Sequence, residues 1–130
     1  MEKKTKVLIV DDEPDVLTLL KDLFIKKGYD VECVSNGMAA LDTVEKSGID
    51  VVLLDIKMPV MDGIETLAKL KQKNPLLPVI MLTAYGYDDN FINKTVELNA
   101  DGYISKNLPL AQIVYAFQNF LNAANKKKEG

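Results

Sequence analysis

Five short apolar runs recur along the chain, and each gives way to a segment of helical period. The runs are KVLIV (6–10), YDVECV (29–34), DVVLL (50–54), PVIML (78–82) and GYIS (102–105). A continuous run such as KVLIV marks a strand covered on both faces, since a solvated face would alternate apolar with polar residues. Between the runs, apolar residues recur at spacings of three and four. Val16, Leu19, Leu20, Leu23 and Phe24 do so within 15–27, closed by Gly28; Ala40, Leu41 and Val44 within 38–47; Ile64, Leu67 and Leu70 within 63–73; Phe91, Ile92 and Val96 within 88–99. Pro109 opens a last helix, being tolerated in a first turn, with Ile113, Phe117, Phe120 and Leu121 on one face. Five strand–helix units predict a doubly wound α/β fold: a parallel five-stranded sheet, order 2-1-3-4-5, with five helices over its two faces.

A chain of 130 residues, 48% of them apolar, suffices for one domain with a real core. Residues 1–130 are read as one domain with a core over about 5–123 and a basic tail over 124–130. Lys126, Lys127 and Lys128 are taken as solvated tail, and Glu129-Gly130 as either native or appended. Met1 argues for an amino-terminal position. A net charge of −3 speaks against direct nucleic-acid binding. The opening apolar run of five residues is too short for a signal peptide or a membrane span, so a cytoplasmic protein is expected. The single cysteine, Cys33, excludes an intrachain disulfide and reads as a buried, inert thiol. The chain has no histidine. That removes His-ligated metals, histidine-dependent triads and any phosphohistidine of its own.

In such a sheet, ligands bind where the carboxyl ends of the strands meet a reversal of strand order. Asp11-Asp12 follow the first strand, Asp55 the third, Thr83 the fourth and Lys106 the fifth, whereas the second ends in uncharged Ser35-Asn36-Gly37. With the first and third strands adjacent, three carboxylates share one pocket. They cannot all stay ionised unaided. An all-oxygen donor set points to a hard cation, Mg²⁺ or Mn²⁺, which commonly bridges carboxylates to a phosphate. A carboxylate can itself accept a phosphoryl group. Asp55 is the best placed to do so, and Asp11 and Asp12 are better suited to holding the ion. Lys106 and the Thr83 hydroxyl can take the charge that develops on the phosphoryl oxygens. Asp62-Gly63 are expected to cap the third helix.

VLIVDDEPDV, VVLLDIKMPVMDGIE, VIMLTAYG and ADGYISK, in that order and spacing, resemble the receiver domain of two-component response regulators, a flavodoxin-like fold. The resemblance spans residues 5 to about 123 and includes the chemotaxis and single-domain phosphorelay regulators of the family. It implies Asp55 as phosphoacceptor, direct Mg²⁺ ligation by Asp12, ligation through water by Asp11, and a further ligand in the backbone carbonyl of Lys57. It implies pairing of Lys106 with the phosphoryl group, and a switch in which Thr83 moves toward the phosphate and Tyr103 moves inward. The implied phosphodonor is a sensor histidine kinase or a histidine phosphotransfer protein. Such a chain catalyses only its own phosphorylation and dephosphorylation. Its output would be a downstream protein target or a C-terminal domain beyond these residues. Dimerisation is left open. The family usually has Lys-Pro, often cis, where this chain has Lys106-Asn107; a trans bond is expected here, because cis costs a non-proline residue about 3 kcal/mol.

Three alternatives compete. A receiver-like interaction module that works without phosphate would usually lose one of the five site residues, and none is lost. A haloacid-dehalogenase-type phosphatase would need Asp-x-Asp after the first strand. A flavodoxin-like cofactor binder would need a Ser/Thr/Gly-rich first loop where this one is acidic. Lys57 is expected to point to solvent, and Tyr85 and Tyr87 to be partly exposed loop aromatics.

Overall fold

The computed structural model describes residues 3–56, 61–83 and 89–129, with the backbone alone for Asp89, Phe91 and Glu129. Strands and helices alternate throughout: β1 (Lys6–Val10), α1 (Pro14–Lys26), β2 (Asp30–Val34), α2 (Gly37–Lys46), β3 (Val51–Asp55), α3 (Gly63–Lys73), β4 (Val79–Thr83), α4 (Asp89–Glu97), β5 (Gly102–Ser105) and α5 (Leu110–Glu129). The strands form one parallel sheet in the order β2-β1-β3-β4-β5, as the sequence predicts.

Alternation along each strand sorts its side chains into two layers. Val7, Ile9, Val51, Leu53, Ile80, Leu82 and Ile104 pack with Leu20 and Phe24 of α1 and with Ile113 and Phe117 of α5. Phe24 and Phe117 meet edge to face at 4.9 Å between ring centres, with Tyr29 against both. On the other face Leu8, Val10, Val52, Leu54, Val79 and Met81 pack with Ala40 of α2 and Leu67 and Leu70 of α3. Tyr103, from β5, joins this second layer beside Leu98 and Ala100. The helix starts follow their residues. Asn36 Oδ1 accepts the Ala39 N–H at 2.8 Å, and Asp62 Oδ1 accepts the Glu65 N–H at 2.8 Å, the expected cap of α3. Gly28, at φ 97°, turns the chain out of α1.

Several expectations need correction. Lys126, Lys127 and Lys128 are exposed, as expected of a solvated stretch, but they ride on the last turns of α5, which runs to Glu129 with Leu121 and Ala124 buried. Lysines there complement the carboxyl end of a helix dipole. Pro109 sits just before α5, its carbonyl accepting the Gln112 and Ile113 N–H groups. Cys33 is only half-buried, because β2 is an edge strand, and burial pushes its thiol pKa up despite nearby Lys21. Leu19 and Val96 keep helical spacing yet lie 54% and 59% exposed. No cis peptide bond occurs among the described residues, and Lys106–Asn107 is trans. No described helix is long and apolar enough to cross a membrane.

The sheet is anchored at its amino-terminal edge by Asp101. Its Oδ2 accepts the Val79 N–H at 2.8 Å and the Lys71 ammonium at 2.8 Å, tying β4 and the approach to β5 onto α3. Both side chains are largely covered, 10% exposed for Lys71 and 16% for Asp101. Asp101→Ala strands a shielded ammonium and a strand N–H, and is expected to cost about 2–3 kcal/mol in urea unfolding. Asp101→Asn, which keeps an acceptor for Val79, is expected to recover part of that loss.

Candidate functional site

Parallel register sets the site before any side chain is considered. Val10 pairs with Leu54, so the next residues, Asp11 and Asp55, emerge side by side at the ends of β1 and β3. The Asp11 N–H is held by the Val34 carbonyl at 3.2 Å, and the Ile56 N–H by the Leu82 carbonyl at 3.1 Å. Both acids have the parity of Ile9 and Leu53, and so the side of the sheet that α1 and α5 cover. Lys106 has the parity of Ile104 and the same side; its N–H bonds to the Thr83 carbonyl at 2.7 Å.

The carboxylates are buried: Asp11 is fully covered and Asp55 is 3% exposed. Lys106 Nζ lies 2.6 Å from Asp11 Oδ2, 3.2 Å from Asp55 Oδ2 and 3.3 Å from Glu13 Oε1, with its side chain only 9% exposed. Burial alone would pull its pKa down, but the Asp11 and Asp55 carboxylates outweigh it and push the pKa up to about 12. The ammonium therefore stays charged at every working pH. One cation between two buried anions leaves the interior negative, and Asp12 adds an exposed carboxylate at the mouth. Oxygen atoms of Asp11, Asp12 and Asp55 lie within 4.8 Å of one another. Asp11 Oδ2 is buried without an aligned hydrogen-bond donor, its contact with Lys106 being an ion pair only. A second buried cation suits that atom, and an all-oxygen set suits Mg²⁺ or Mn²⁺. The donors thus fit the metal that the sequence implies.

Gly63 lets this corner close. Its N–H donates to the Ile56 carbonyl at 2.7 Å, while a Cβ there would sit 2.3 Å from the Asp55 carbonyl oxygen and 2.5 Å from Ile56 Cα. Only glycine permits the start of α3 to press so closely on the end of β3.

Thr83 and Tyr103 take the opposite parity. Tyr103 pairs with Met81, so Thr83, two residues on, is its diagonal neighbour on the face of α2 and α3. Both are half-buried. The structure thus brings Asp11, Asp12, Asp55 and Lys106 into one cluster and places Thr83 and Tyr103 on the other side of the same rim. Lys57, Tyr85 and Tyr87 lie outside the described residues.

Glu13 escaped the sequence reading. It occupies the N-cap of α1 but makes no side-chain cap bond; its N–H donates to Asp11 Oδ1 at 3.0 Å, and its carboxylate turns to Lys106. Glutamate is not a favoured N-cap residue, and its presence before Pro14 is the signal that could have found it.

The comparisons agree with this geometry. The response regulator receiver domain model matches residues 7–118. The chain is 41% identical over 116 residues to sporulation initiation phosphotransferase F of Bacillus subtilis, covering 89% of this chain and 93% of that protein. It is 35% identical to the regulatory protein AtoC of Escherichia coli, covering 95% of this chain but 27% of AtoC. Among solved structures, a CheY-like receiver from Methanospirillum hungatei JF-1 superposes with a TM-score of 0.88 at 29% identity, covering 96% of this chain and 99% of that one. The chemotaxis protein CheY4 of Vibrio cholerae gives 0.85 at 26% identity, covering 91% and 99%. With its carboxylate triad, its lysine and its strand order in place, the chain belongs to the response regulator receiver domains of two-component systems.

Proposed function

We propose that the chain, as a single receiver domain over 1–130, accepts a phosphoryl group on Asp55 from a partner's phosphohistidine. The observation that carries this reading is the buried cluster: two carboxylates, one ammonium ion-paired to both, and an acceptor oxygen with no aligned donor. An Asp55 carboxylate oxygen attacks phosphorus, the P–N bond to the donor imidazole breaks, and that nitrogen takes a proton as it leaves. Mg²⁺ held by Asp11, Asp12, Asp55 and the Lys57 carbonyl supplies positive charge to the phosphoryl oxygens when bound. Lys106 pairs with a phosphoryl oxygen as its hold on Asp55 is given up. Thr83 bonds another from the far side of the rim. The partner is a sensor histidine kinase or a histidine phosphotransfer protein in the cytoplasm, and the output is a protein target or a further domain. Coverage of 93% of a protein named a phosphotransferase supports a chain that hands its phosphoryl group on. The intact five-residue set argues against a module that works without phosphate.

Incubation with acetyl phosphate and Mg²⁺ is expected to raise the intact mass by about 80 Da, the mass of one phosphoryl group, and Asp55→Ala is expected to show no gain. No gain in folded wild-type protein, with acetyl phosphate or with a phosphohistidine donor, overturns the reading.

Metal binding can be read without phosphorylation. Mg²⁺ at about 100 times its dissociation constant is expected to stabilise the chain by about 2.7 kcal/mol in urea unfolding, an effect removed by EDTA and greatly reduced in Asp12→Ala.

The neighbouring positions of Thr83 and Tyr103 on one face support a switch. Phosphorylation draws the Thr83 hydroxyl toward Asp55, and its diagonal neighbour Tyr103 moves into the space vacated, a shift between two packings. NMR spectra with a beryllofluoride mimic of the phosphoryl group are expected to move both residues, and unchanged Thr83 and Tyr103 signals on a labelled site would sink the switch alone.

A further inference from the structure

The carboxyl ends of the strands hold the acid cluster; the amino-terminal ends carry a feature of opposite sign. A cleft of about 370 Å³ opens there between the start of β1, the approach to β3, the α3–β4 loop and the last turns of α5. That volume falls in the range of small-molecule sites, about 300–1,000 Å³. Lys3, Lys4 and Lys128 line it, and none of the three has a side-chain hydrogen bond or ion pair among the described residues. Among the described residues Asp50 is the one carboxylate in the lining, and its Oδ2 already accepts the Lys6 N–H at 2.8 Å. Three lysines and one committed carboxylate thus line the cleft, in a chain whose net charge is −3.

The geometry of α5 makes this more than scattered surface lysine. Leu121, Asn125 and Lys128 stand four and three residues apart, one stripe of the helix, and all three line the cleft. Buried Leu121 seats the stripe against the fold. Lysines in a last helical turn have a reason of their own in the helix dipole, but Lys3 and Lys4 precede a strand and have none. Apolar surface at the lining comes chiefly from Leu76, 67% exposed, with half-buried Ile49 beside it. Lysines next to an exposed leucine suit an anion with a small apolar body. A phosphate ester is favoured over a carboxylate because three point-charge donors can share its several oxygens.

We infer that this cleft binds a small phosphate ester of mononucleotide size, its phosphate among Lys3, Lys4 and Lys128 and its ring against Leu76. The site lies at the opposite end of the strands from Asp55 and does not depend on phosphorylation there. Its test is therefore run in EDTA, where the acid cluster has no metal with which to attract phosphate. The full chain, labelled with ¹⁵N, is titrated with AMP, and with adenosine and pyrophosphate as its separate halves. Expected are saturable shifts centred on Thr5, Ile49, Asn74, Leu77 and Asn125, tighter for AMP than for either half. The combined variant Lys3→Gln/Lys4→Gln/Lys128→Gln is expected to weaken AMP at least about tenfold while keeping the wild-type spectrum elsewhere. Because all three positions are exposed, the variant is expected to fold, and Asn125→Leu offers a second, single-site disruption of the same stripe. The inference is overturned if AMP fails to saturate by about 10 mM, if the shifts fall outside the cleft, or if both variants bind like wild type.

Discussion

Two buried carboxylates held together by one lysine are the constraint around which this domain is arranged. Asp11 and Asp55 could not share a covered corner by themselves, since each would disfavour the charge of the other. Lys106 touches both, from a strand that is not adjacent to either. The charge cluster is thus also a clasp, joining the ends of β1, β3 and β5 across the top of β4. It is under-compensated by design of its composition: one ammonium against two covered anions, with Glu13 and Asp12 adding negative charge at the rim. A fold that needed only stability would do better with apolar residues here. The surplus of negative charge makes sense for a pocket whose oxygen donors suit a hard divalent cation.

Much of this was legible beforehand because parallel sheets write their sites in a simple way. Strands buried on both faces appear as unbroken apolar runs, and whatever polar residue ends each run must surface at the same edge. Asp11, Asp55, Thr83 and Lys106 could therefore be grouped from the sequence alone. The strand order is the one adopted for a flavodoxin-like doubly wound sheet, and the structure has it.

What could not be read depends on contacts without a period. Helical spacing placed Leu19 and Val96 on apolar faces, but spacing does not say how far a neighbouring layer extends, and both are exposed. Composition alone suggested that the three final lysines were tail; beyond Leu121 the only buried residue among those described is the small Ala124, too weak a signal to extend the helix. Cys33 lies in an apolar stretch, yet its strand is an edge, and edge position is a property of topology. Glu13 was hidden for another reason. Its work is done by a side chain turned away from the helix it begins, toward a lysine 93 positions later.

Strand alternation has a consequence beyond packing. Asp11, Asp55 and Lys106 share the parity of the layer under α1 and α5, while Thr83 and Tyr103 share that of the layer under α2 and α3. The sheet therefore acts as a partition with the charge cluster on one side and Thr83 and Tyr103 on the other, and only its upper rim is common to both. The two compartments pack against different pairs of helices. A lineage of such domains can change what recognises one face without rebuilding the other, which makes the two surfaces separately evolvable.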